Sequence, residues 1–137
     1  MTAFYAVLDP VGRTLTYARA GHNPPRLVRG DRILALDQAS GLPLGIADEQ
    51  KFDHACQELQ ANDLLLLYTD GVTEAFAAGT AGSERELFGV ERLDDVLLKN
   101  RGCSSDECIA KIRQSVAEFA GNNSPNDDQT LIAIRCE

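Results

Sequence analysis

The chain has 137 residues, with 13 Lys and Arg against 21 Asp and Glu, giving a formal net charge of −8 with both histidines neutral. That length fits one domain or part of one, and 44% hydrophobic with 25% charged residues excludes disorder, collagen-like repeats and coiled coil. No apolar run approaches the ~20 residues that cross a bilayer, the opening residues carry no basic n-region, and no basic cluster offers a footing for nucleic acid. A cytoplasmic chain with no membrane and no nucleic-acid partner is expected. The four cysteines, Cys56, Cys103, Cys108 and Cys136, then read as reduced thiols. They form no C-x-x-C, which argues against a structural zinc site. Six positions after Cys56, Cys103 and Cys108 stand Asn62, Ile109 and Gln114. None is the Arg that a cysteine-nucleophile phosphatase needs.

From the N-terminus, Thr2 to Leu8 and Thr14 to Ala18 alternate on either side of Asp9-Pro10-Val11-Gly12, the pattern of a β-hairpin. Gly21-His22-Asn23-Pro24-Pro25 breaks the chain, and Arg26 to Val28 with Ile33 to Leu36 across Gly30-Asp31 predicts a second hairpin. Gly41-Leu42-Pro43-Leu44-Gly45 predicts irregular structure. A strand is expected over Phe52 to Leu59. Leu64 to Tyr68 is an apolar run suited to a strand buried on both faces.

After Asp70-Gly71 the period changes. Phe76 to Glu86 reads as a mobile loop, and Val90, Leu93 and Leu97 mark a short amphipathic helix. Ser104-Ser105-Asp106-Glu107 is a capping box. The helix it opens carries Ile109, Ile112, Val116 and Phe119 on one stripe and ends at Gly121. Asn122 to Asp127 is a polar loop, and Thr130 to Ile134 a closing strand. Strands, then two helices, then one strand indicate α+β, with antiparallel sheet covered by helices. By composition the Leu64 to Tyr68 strand and the last strand are the most buried, and acidic residues flank both.

Asp70 stands where a buried strand opens into a loop. Asp-Gly is a hairpin signal, but Val72-Thr73-Glu74-Ala75 does not alternate as a returning strand. The other reading is a rigidly held metal ligand, with Gly71 removing a Cβ clash. Asp127-Asp128-Gln129-Thr130 reads either as a solvated loop with an Asx turn or as a second source of carboxylates. In a strand-like backbone only one of the two would face a site shared with Asp70. His22 reads as fixing its Gly-His-Asn-Pro turn, with phosphate binding or acid chemistry as the alternative, and His54 as structural. Glu74 is either a solvated helix-start residue or a partner of water on a metal. No P-loop and no G-x-S-x-G is present.

Taken together, Tyr68-Thr69-Asp70-Gly71-Val72-Thr73-Glu74-Ala75, Leu87-Phe88-Gly89-Val90-Glu91-Arg92-Leu93 and Asp127-Asp128-Gln129-Thr130 closely resemble the bacterial PP2C-like, metal-dependent protein Ser/Thr phosphatases. The likeness is to their sporulation and stress-response (SpoIIE-like) branch. Ala3 to Asp9, Ala20-Gly21-His22-Asn23-Pro24-Pro25 and Gly41 to Gly45 fit the same family in the same order. The resemblance implies an α-β-β-α sandwich of antiparallel sheets flanked by helices, with two Mn²⁺ or Mg²⁺ ions at one edge. It implies Asp70 and Asp127 as catalytic metal ligands, with Asp128 the second choice for the latter position. Hard divalent cations select carboxylate oxygens, and bound cations would reverse the field that otherwise repels a phosphate dianion. The implied reaction is direct in-line attack by water on phosphorus, without a phosphoenzyme.

The implied substrate is a phosphorylated protein, an anti-sigma-factor antagonist, with a sensor or receiver domain upstream. A non-catalytic module that binds such a regulator is the competing reading. Family members carry further aspartates upstream, one in an Asp-Gly-His-Gly-like turn, that this sequence does not match. Residues 1–137 are therefore expected to be the C-terminal part of a catalytic domain whose first strands are missing. Exposed sheet edges predict that such a piece dimerises, and the missing aspartates that it is inactive alone.

Overall fold

Two hairpins built on the expected alternation seed two sheets. In the computed structural model, which describes residues 1–79, 86–121, 123–125 and 127–137, β1 (Ala3–Asp9) pairs antiparallel with β2 (Thr14–Ala20). The turn between them is held by the Asp9 carboxylate, whose Oδ1 accepts from Val11 N and Gly12 N at 3.0 Å each. On its other side β2 takes β5 (Ser40–Gly41), in parallel, and β6 (Ala55–Glu58), antiparallel. The strand expected over Phe52 to Leu59 is thus confined to its centre, and His54 lies outside it. The Gly/Pro-rich stretch begins with a short strand rather than wholly irregular chain. The second sheet has the order β4 (Arg32–Ala35), β3 (Arg26–Arg29), β7 (Leu64–Tyr68), β8 (Leu131–Arg135), all antiparallel.

The sheets pack face to face. Leu15 and Tyr17 of β2 meet Leu27, Leu36, Leu59 and Leu65 in one apolar layer. Alternation sends Leu64, Leu66 and Tyr68 to the opposite face of β7, where they meet α2 (Gly89–Lys99) and α3 (Ser105–Ala120) through Leu93, Leu97, Cys108, Ile112 and Val116. The chain therefore contributes two sheets and a helical layer over the second. Each fully buried Leu stabilises this arrangement by about 1.5–3 kcal/mol. The α3 stripe runs through Cys108 rather than Ile109, which is half-buried. Arg92 lies over the ring of Phe119, which meets Phe88 edge-on at 5.5 Å and ties α2 to α3.

One expectation needs correction. β8 is an edge strand, not among the most buried: Leu131 and Ala133 pack on the helical core, but Ile132 and Ile134 on the other face are 52% and 37% exposed. Of the two readings open at Asp70-Gly71 the hairpin turn falls, as the missing alternation after it suggested; the pair opens a short helix, α1 (Asp70–Thr73), in which Gly71, Val72 and Thr73 are buried. Within the expected loop, Phe76 bridges Leu87 and Ala77 N donates to Glu86 O at 2.9 Å. The expectation of mobility for residues 80–85 lies outside the described residues, as do positions 122 and 126 of the polar loop.

Below β7 the buried Asp63, 1% exposed, accepts from Arg29 Nη2 at 2.6 Å and from Gln60 N at 2.8 Å. Arg26 and Asp94 make a second ion pair between β3 and α2, with Nε donating at 2.8 Å. Among the described residues no helix is long and apolar enough to cross a membrane.

Candidate active site

At its C-terminal end β7 delivers Thr69 and Asp70 to the rim of the second sheet. The chain entering β8 arrives antiparallel beside it and brings Asp127 to Thr130 to the same place. The joint between them is dense. Thr69 N donates to Thr130 O at 3.2 Å, Thr69 Oγ1 donates to Asp128 O at 3.0 Å, and Thr130 N donates to Thr69 Oγ1 at 2.9 Å. Gln129 Nε2 reaches Gly71 O at 3.0 Å. A Cβ on Gly71 would stand 2.5 Å from Asp128 O and 3.1 Å from Asp127 O. The glycine is needed for this close approach rather than for a positive φ, which it does not adopt.

The carboxylates sit on this seam. Asp70, Asp127 and Asp128 are all exposed. Asp70 Oδ1 accepts from Gly71 N at 3.1 Å, and Asp127 Oδ1 accepts from Asp128 N at 2.8 Å. Each is thereby turned by its own following amide. The Asp70 carbonyl accepts from Glu74 N at 2.8 Å and from Thr73 Oγ1 at 3.2 Å, closing α1 behind it. Carboxylate oxygens are the donors that Mn²⁺ and Mg²⁺ take, so these residues suit such an ion in type. In number they fall short, since among the described residues no group of three or more His, Cys, Asp or Glu gathers in metal-binding geometry.

A second strand end faces the seam. Gly21 closes β2 with φ +67°, and a Cβ there would meet Pro43 Cγ at 2.5 Å. His22 and Asn23 follow. The buried Arg19 holds this loop by donating from Nη1 to His22 O at 2.7 Å and from Nη2 to Asp37 O at 3.0 Å. Sequence reasoning did not single out Thr69, Thr130 or Gln129. Their roles are hydrogen bonds between segments distant in the chain, which no local spacing announces.

The family model for Stage II sporulation protein E (SpoIIE) matches residues 1–137. The chain is 32% identical over 138 residues to the phosphoserine phosphatase RsbU of Bacillus subtilis, covering 98% of this chain and 38% of RsbU. It superposes on the SiaA-PP2C domain of Pseudomonas aeruginosa with a TM-score of 0.82 at 22% identity, covering 99% of this chain and 52% of that one. On the manganese-presoaked phosphatase domain of B. subtilis SpoIIE the TM-score is 0.72 at 17% identity, over 99% of this chain and 56% of that one. The chain thus spans well under half of RsbU and about half of each of these solved chains. The fold is that of PP2C phosphatase domains, and the chain belongs to the SpoIIE family.

Proposed function

We propose that this chain supplies the Asp70 and Asp127 side of a phosphatase active site that hydrolyses phosphoserine or phosphothreonine on a regulatory protein, an anti-sigma-factor antagonist. In this reading the chain is the C-terminal part of a PP2C-like domain in a longer cytoplasmic protein, whose upstream portion provides further aspartates and a sensor or receiver domain. The observation that carries it is the seam: Gly71 admits the Asp127–Asp128 backbone to contact distance of the turn that bears Asp70. The likeness to a phosphoserine phosphatase supports the reaction class.

Asp70 and Asp127 would hold Mn²⁺ or Mg²⁺, two ions in the complete domain, with Asp128 the alternative to Asp127. Such ions, when bound, would supply positive charge against the repulsion between these carboxylates and a phosphate dianion and toward the oxygens of the reacting phosphoryl group. The chain's own contribution is positioning. Thr69 clamps the Asp128 carbonyl, Gln129 ties the loop to Gly71, and α1 fixes the Asp70 backbone.

The test is phosphate release from a phosphorylated anti-sigma antagonist by the full-length protein with Mn²⁺, wild type against Asp70→Asn. A loss beyond the roughly 100-fold caused by disturbing groups behind a metal ligand is expected. A fully active variant overturns the assignment. The incomplete donor set favours one competing reading, a module that binds the regulator without hydrolysing it. A full-length wild type that binds the regulator but releases no phosphate would establish that reading.

A further inference from the structure

His22 and Asp70 follow strands of different sheets, β2 and β7, and a cavity of about 190 Å³ joins the two strand ends. Phe4 and His22 line it from the first sheet, and Tyr68, Thr69 and Thr130 from the second. Thr69 clamps the Asp128 carbonyl beside Gly71 and accepts from Thr130 N. The imidazole therefore shares this cavity with Thr69, the residue that immediately precedes Asp70.

The ring's orientation is set. Nδ1 lies 3.0 Å from the carbonyl oxygen of Asn23. A carbonyl oxygen only accepts, so Nδ1 carries the proton and Nε2 is the nitrogen left for a ligand. Behind the ring, Arg19 spends Nη1 on His22 O and Nη2 on Asp37 O, and among the described residues its buried Nε has no partner. Its charge thus backs the loop rather than entering the cavity. The Phe4 ring, 6.4 Å from the imidazole, closes the apolar side.

We propose that His22 contacts the phosphoryl group of the substrate, Nε2 in its protonated form donating a hydrogen bond to a phosphoryl oxygen. This rests on the phosphatase reading above and assigns the imidazole a binding role, with no bond made or broken on it. A chain of net charge −8 with three aspartates on one seam repels a dianion. Among the residues lining this cavity His22 alone can become cationic. The other charged groups around it are Arg19 on its own strand, Asp37 beyond Arg19 and, along the seam, Asp70, Asp127 and Asp128. Tyr68 borders the cavity from β7, but its side chain packs on the helical core. A charge-assisted hydrogen bond from imidazolium is then the cation this side of the site can offer.

Two measurements on the full-length protein test this. In the first, imidazole NMR resonances are followed with Mg²⁺ present while inorganic phosphate is added, His22 being assigned by its absence in His22→Gln. Phosphate should shift the His22 resonances, while those of the exposed His54 stay in place. Resonances that both stay still, or that move equally, overturn the proposal without any variant having to fold. In the second, His22→Gln should raise KM for p-nitrophenyl phosphate about tenfold, the scale of one charge-assisted hydrogen bond. An unchanged KM overturns it. Full activity in Asp70→Asn would instead sink the phosphatase reading, so the two failures are separable.

Discussion

The carbonyl oxygen of Asp128 occupies the place where a side chain on Gly71 would start, 2.5 Å from an ideal Cβ. Backbone stands on both sides of that contact, and backbone cannot rotate away as a long side chain can. Gly71→Ala is therefore expected to destabilise the fold by about 1–3 kcal/mol and to weaken Mn²⁺ binding by the full-length protein. Denaturant midpoints and a metal titration check both effects. An Ala variant with wild-type values in each would show that the loop relaxes freely.

Asp63 is the buried anion of the structure's lower end, held by Arg29 and Gln60 N. Removing its charge leaves the guanidinium beside it uncompensated. Asp63→Ala should cost about 3–5 kcal/mol, the range for breaking a buried pair. It lies at the end of β7 remote from Asp70, so the loss should appear in the unfolding midpoint, with KM preserved at temperatures where the variant stays folded.

The capping box of α3 gives a pH dependence with a definite sign. Ser104 N donates to Glu107 Oε2 at 2.9 Å, as does the Ser104 hydroxyl at 3.0 Å. These bonds, the backbone one first, hold the Glu107 carboxyl below its ordinary value of 4.5. A value lower in the folded chain than in the unfolded one stabilises above the unfolded value and fades as pH falls through the folded one. The Tm advantage of wild type over Glu107→Gln should accordingly shrink as pH is lowered below 4.5. Ser104→Ala, which removes the hydroxyl that accepts from Glu107 N, should cost about 1 kcal/mol at neutral pH.

The cysteines should separate by reactivity. Burial pushes the Cys108 thiol up, and burial followed by the Asp63 charge does the same for Cys136, while Cys56 is exposed on β6. Thiolate is the reactive form. Alkylation under native conditions should label Cys56 first and Cys108 last, as peptide mass spectrometry would show. Early labelling of Cys108 would mean that α3 opens from the sheet.

Among the described residues β1 and β8 each pair on one side only, and Tyr5, Val7 and Ile132 are 71%, 53% and 52% exposed. Apolar edges of this kind recruit further strands. The isolated 137-residue chain is expected to self-associate in light scattering as its concentration rises. A monomer that persists at high concentration contradicts this.

What the sequence disclosed was local. The apolar run Leu64 to Tyr68, the Ser104 to Glu107 box and the two hairpins were legible because each is written in neighbouring residues. The burial of β8 was misjudged because composition cannot tell an edge strand from a central one; that depends on which strand lies next to it. The helical start at Asp70 was obscured by the turn signal of Asp-Gly, which tertiary packing of Val72 overrides. The Arg29–Asp63 and Arg26–Asp94 pairs, and the hydroxyl bridge of Thr69, join positions far apart in the chain, so no spacing rule reached them. For the candidate site, the residue types were readable, whereas the adjacency of the two acidic segments needed the sheet register.

The sheets that carry His22 and the Asp70 turn are held apart by the interior between them, chiefly Leu15, Tyr17, Leu27 and Leu65. That filling acts as a spacer. Thinning it, as Leu65→Val would, lets one wall settle toward the other and changes the gauge of the mouth. A conservative change deep inside the protein would then surface as altered grip on a phosphate, even where the fold itself endures.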